Sequence, residues 1–172
     1  MRQRYVVTYL ILLAIQVALG GLLNLSQYMI ICFLPVMIMS LPVTSSPYRL
    51  MLVAFISGFA VDFLTHGAMG LTVAALLPVA YARNALIRLV FGAELLSRKE
   101  DISIHKQGPG KILLSILLAN TLYFIIFIPL DCAGTRSFGF MTVRLLLSVA
   151  LSTAVSYYVA GVLAPLEADR WR

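Results

Sequence analysis

The stretch AFISGFAVDFLTHGAMG, residues 54–70, decides how this chain is read. It is an apolar run spaced by the small residues Ala54 and Gly58, it carries one acid, Asp62, and it breaks at His66-Gly67 before a new apolar run opens at Gly70. Asp62 is the only Asp or Glu within any apolar run long enough to be assigned to a membrane. A carboxylate at the centre of a bilayer helix costs about 2.5–3.5 kcal/mol on insertion scales, so by default it marks a functional position.

The surrounding composition places that run in a bilayer. Hydrophobic residues make up 61% of the 172-residue chain and charged residues 12%, and mean hydropathy is +0.96. Soluble domains carry about twice that share of charge. Counting runs near the roughly 20 apolar residues needed to cross a membrane predicts six spans, at 5–23, 28–43, 48–65, 68–88, 111–130 and 141–164. The expected fold class is therefore all-α, a polytopic bundle of six transmembrane helices forming one integral membrane domain. The N-terminus has the basic start of a signal peptide, but its apolar run from Tyr5 to Leu23 is longer than such a core. It is read as a retained first helix.

The distribution of charge sets an expected orientation. Six spans put both termini on one side, together with Arg2, Arg4, Arg49, Arg83, Arg88, Arg98, Lys99, Lys106, Lys111, Arg170 and Arg172, leaving only Arg136 and Arg144 opposite. Basic residues accumulate on the cytoplasmic side, so both termini and the loop 89–110 are expected there. The net charge of +6 then speaks for membrane lipid rather than nucleic acid. The loop itself reads either as a surface amphipathic helix continuing from Arg83, Arg88 and Glu94, or as a solvated loop with snorkelling arginines.

No catalytic or metal-binding constellation is legible. His66 and His105 fall on opposite sides, Cys32 and Cys132 have no ligand spacing to either, and paired carboxylates are absent from the spans. General acid/base chemistry has nothing to be built from, so neither an enzyme, a cofactor nor a metal is expected. Gly108-Pro109-Gly110-Lys111 lacks the spacing of a phosphate loop.

Helix contacts are more legible. Arg144, Ser148, Ser152, Ser156, Ala160 and Ala164 recur every four residues in the sixth span, and Ala14 and Ala18, Ala54 and Gly58, and Gly70 and Ala74 form shorter rows. Small residues let membrane helices approach closely, so these rows are expected to be internal packing, with one or two left for a partner helix. Gln16, Asn24, Asn120 and Tyr123 are polar groups that face the bundle either for packing or for a ligand. Pro35 and Pro42 interrupt the second span, a feature that points to binding sites in transporters but is also common in ordinary membrane helices.

Asp62 is expected one to two helical turns short of the outer surface, far from Arg83. His66, one turn on along the same face, and Arg144, at the outer start of the sixth span, are the candidate partners. A structural tie from the third span to the sixth is preferred to a ligand-binding acid, and both readings stay open.

The run Gly58-Phe59-Ala60-Val61-Asp62-Phe63-Leu64, followed by Gly67 and Gly70-Leu71, resembles the signature of the bacterial rod shape-determining MreD family. Length, a short basic N-terminus, a proline in the second span and the six-span pattern extend that resemblance over essentially the whole chain. Gly58, Asp62 and Gly70 are the motif positions. The charged loop 97–111 departs from many members. The resemblance implies a non-enzymatic subunit of the cell-elongation complex in the bacterial cytoplasmic membrane, associated with the bitopic protein MreC and, through it, with the MreB filament and the peptidoglycan synthases. It also implies a fold similar to the substrate-binding subunits of energy-coupling-factor vitamin transporters. That gives an alternative function, in which Ala14 and Ala18 resemble the small-residue motif that docks the coupling partner.

Overall fold

A computed structural model of the chain describes residues 2–22, 29–41, 45–65, 69–92, 108–132 and 136–168. Among them are six helices: α1 (Arg2–Leu22), α2 (Leu34–Met39), α3 (Pro47–Leu64), α4 (Leu71–Phe91), α5 (Pro109–Cys132) and α6 (Phe138–Ala168). Four of these, α3 to α6, are long and apolar enough to cross a membrane, while α1 holds the shorter apolar stretch Val6–Gly21. The protein is an all-helical membrane protein. Its outward faces carry the large apolar side chains that a bilayer tolerates, including Phe55, Phe59 and Phe63 on α3, whose rings stack along the helix at 6.2 and 6.3 Å.

The second expected span is corrected by the structure. Residues 28–43 do not form a crossing helix: the chain is non-helical from Ile30 to Phe33, and α2 is only six residues long. At about 1.5 Å per residue such a helix covers less than a third of the ~30 Å hydrocarbon core. Proline explains both limits. Pro35 lies in the first turn of α2, where its missing N–H is harmless, but a helix continued back to Ile31 would need that N–H and would meet the proline ring. Pro42 follows two residues beyond the Ser40 C-cap and has no N–H with which to extend the helix.

This fragment is the centre of the molecule. All six residues of α2 are buried, and α2 touches each of the other five helices. The longer helices form its wall, with α3 against α4, α4 against α5 and α5 against α6. Ala54, Ala75, Leu76, Val79, Ile116, Ala119 and Phe124 line the same core.

Candidate functional site

Two buried charges fasten this architecture. The first is Asp62, near the end of α3 and 4% exposed. Its Oδ2 accepts the Gly70 N–H at 2.9 Å, both carboxylate oxygens accept the Thr72 N–H at 3.1 Å, and Val73 N–H lies at 3.5 Å from Oδ2. The first turn of a helix leaves its N–H groups without partners inside the helix and carries the positive end of the macrodipole. Asp62 supplies a negative acceptor for the start of α4 from a different helix. Gly70, the N-cap, reaches the position with φ +90°, a conformation that suits glycine.

Gly58 permits that geometry one turn earlier. A Cβ added there would sit 3.1 Å from the Val73 backbone N and Cα. The glycine brings α3 close enough to α4 for the carboxylate to reach its first turn. The three motif positions Gly58, Asp62 and Gly70 thus meet in one joint.

The expected Asp62–Arg144 tie is not formed. Arg144 pairs with Asp131 at 2.7 Å, thirteen positions earlier in the chain, and its Nη1 donates to Cys132 Sγ at 3.5 Å. Backbone N–H groups eight to eleven residues ahead of Asp62 outcompete a distant cation, because no long side chain has to be ordered to make them. The His66 alternative lies outside the described residues, as do Asn24, Glu94, His105 and the loop 93–107, so the two readings of that loop stand as they were.

The second buried charge is Arg83, on α4, fully buried. Its Nη2 donates to the Met39 carbonyl at 3.0 Å and to the Leu41 carbonyl, and its Nε lies 3.4 Å from Met39 O. It therefore holds the carbonyl end of α2, where the macrodipole is negative. Sequence reading counted Arg83 among the inward-facing basic residues and missed this role. The acceptors lie 42 and 44 residues away, and no local spacing signals them.

Between the two charges runs a seam of neutral polar groups. Gln16 of α1 donates Nε2–H to Ile31 O at 3.1 Å and accepts the Phe33 N–H at 3.0 Å. On α6, Ser148 Oγ accepts the Ile30 N–H at 3.1 Å, while Ser152 Oγ accepts the Cys32 N–H at 3.0 Å and donates to Ile30 O at 3.2 Å. These bonds answer the backbone groups that the broken span leaves without a helical partner, as irregular backbone in a membrane requires. The seam continues through Asn120, whose Nδ2 reaches Thr153 Oγ1 at 3.3 Å and Ser156 Oγ at 3.4 Å. Tyr123, one turn further along α5, is buried.

The rows of small residues divide accordingly. Ser148, Ser152 and Ser156 of the α6 row are fully buried, with the hydroxyls of Ser148 and Ser152 also serving the unwound segment. Ala54 and Gly58 are buried too. Ala14 and Ala18 instead face outward from α1. Among the described residues no group of three or more His, Cys, Asp or Glu could hold a metal, and Cys32 and Cys132 are not joined in a disulfide. The arrangement can bind helix ends and backbone and can hold helices in register; every polar partner of Asp62 named above is a main-chain N–H.

No family model, curated protein or solved structure matches the chain.

Proposed function

We propose that the chain is a non-enzymatic scaffold or regulator of the bacterial cell-elongation machinery, seated in the cytoplasmic membrane with both termini inside and maintaining rod shape with an MreC-like bitopic partner. Through that partner it would act on an MreB-like filament and on peptidoglycan synthases. The observation that carries the reading is the joint itself. The motif positions by which the sequence resembles the MreD family, Gly58, Asp62 and Gly70, form one packing device in which the acid binds backbone. A motif spent on architecture suits a subunit whose work is to present surfaces. The bias of basic residues to one side, ten to two once the fully buried Arg83 is set aside, supports the orientation with residues 29–41 counted as one broken crossing, at about 1 kcal/mol for each Lys or Arg close to anionic lipid.

Purification from membranes in mild detergent tests the proposal. An MreC-like single-span protein is expected to accompany the chain, and deletion of the gene is expected to round a rod-shaped cell. Unchanged cell shape in a clean deletion would sink the elongation role.

One observation favours the second reading, the substrate-binding subunit of a vitamin transporter with the corresponding fold. Ala14 and Ala18 are exposed on α1, where a coupling partner would dock. Co-purification of a transporter ATPase module or of a tightly held vitamin would decide for it.

A further inference from the structure

The α3–α4 joint sets the register of the whole hairpin. With Asp62 bonded to Gly70 and Thr72 and Gly58 against Val73, each step along α3 away from the joint is matched by a step along the antiparallel α4. Tyr48, near the start of α3, therefore lies level with residues 84–86 of α4, with Tyr81 and Arg88 within about a turn on either side of that level. All three side chains are exposed, Tyr48 at 84% and Tyr81 at 74%. Counted round each helix from the Gly58–Val73 contact at about 100° per residue, Tyr48 and Phe55 fall roughly 60–80° from the α4 side of α3. Tyr81 and Arg88 fall roughly 60–80° from the α3 side of α4. Because the helices are antiparallel, both rows turn to the same side of the pair and line one lipid-facing groove. Phe55 opens the outward stack that continues through Phe59 and Phe63.

We propose that this groove binds one phospholipid with an anionic headgroup of the phosphatidylglycerol kind, in the leaflet at the start of α3. Exposed tyrosines favour the membrane–water boundary, ring among the acyl chains and hydroxyl among the headgroups, and an arginine stem reaches the same level by snorkelling. The phosphate accepts from the Arg88 guanidinium and from the hydroxyls of Tyr48 and Tyr81, while an acyl chain runs along Phe55 and Phe59 toward the joint. Charge decides the headgroup. Among the described residues no carboxylate is paired with Arg88, so a singly negative headgroup balances it through charge-assisted hydrogen bonds. A zwitterionic headgroup brings an ammonium for which the groove's described side chains offer no acid. The groove belongs to the bundle and is compatible with either function proposed above.

Native mass spectrometry of the full chain in mild detergent, titrated with phosphatidylglycerol or phosphatidylethanolamine of the same acyl chains, tests it. The unmodified chain is expected to bind one phosphatidylglycerol on the order of tenfold more tightly than phosphatidylethanolamine, the effect of one charged hydrogen bond. Arg88→Gln is expected to bring the two lipids level. Tyr48→Phe combined with Tyr81→Phe, which keeps both rings, is expected to weaken phosphatidylglycerol binding about fivefold. Arg49 is the control: it is exposed at the same depth but about 100° further round α3, away from α4. Arg49→Gln is expected to leave the preference unchanged. Equal losses in Arg49→Gln and Arg88→Gln would mean that any cation at this depth serves, and would overturn the groove. So would equal affinity for the two lipids in the unmodified chain, or a double tyrosine variant that binds phosphatidylglycerol as tightly as before.

Discussion

The Asp62 joint and the Arg83 joint do the same job with opposite charges. Each places a buried ionic group against the end of a helix other than its own, acid at an N-terminus and base at a C-terminus, so that the field of the helix end offsets part of the cost of burying the charge. They differ in reach. Asp62 answers N–H groups at most eleven residues on, across one turn. Arg83 answers carbonyls more than forty residues back, across the centre of the bundle. The first joint builds a neighbouring pair of helices, and the second fixes the end of a buried fragment alongside its own Ser40 cap.

Several substitutions would break or sharpen that contrast. Gly58→Leu has the largest expected effect. Its side chain must enter where α4 backbone lies 3.1 Å away, which overpacks a helix contact by about 3 kcal/mol or more. It should abolish a folded monodisperse peak in size-exclusion chromatography and with it capture of any partner. Asp62→Ala comes next. It leaves the N–H groups of Gly70 and Thr72 without their acceptor, a loss of about 3 kcal/mol, visible as a lowered midpoint of denaturation in mixed detergent. Amide exchange should rise first at residues 70–73, because the joint is local.

Arg83→Lys should cost less, about 2 kcal/mol, since an ammonium keeps the charge but cannot present the planar fork that reaches both Met39 and Leu41. Its exchange signature should appear in α2 rather than in α4. If both variants loosened the same residues, the two joints would be a single cooperative unit. Gly70→Ala is the smallest, about 1 kcal/mol from forcing a side chain to positive φ, and it should lower the denaturation midpoint while leaving α2 protected.

The legibility of the two joints in the sequence follows from the same difference of reach. Gly58, Asp62 and Gly70 lie within thirteen positions, so their spacing could be read and matched to a motif, although the partner of the acid was expected to be a side chain. Helix N-terminal N–H groups are anonymous in sequence, since every residue except proline has one. Arg83 looked like one more inward-facing basic residue. Its importance depends on the point at which the second span stops, and that could not be seen in a run of apolar residues. The serines of α6 were read correctly as a contact face, but their hydroxyls gained a purpose only once Ile30–Phe33 was found unwound.

What the sequence by itself determined is the membrane setting, the four helices long and apolar enough to cross it among the six spans expected, and the spacing of the α3–α4 joint. Those depend on local quantities: apolar run length, small residues at helical period, and a carboxylate a few turns from a glycine. Only the tertiary structure decided that the second span is a six-residue core helix, that Arg83 holds one of its ends, and that Gln16, Ser148 and Ser152 hold the other. The physical reason is that a broken span must find its hydrogen bonds somewhere in a medium without water, and which distant side chains supply them is a property of the packed bundle.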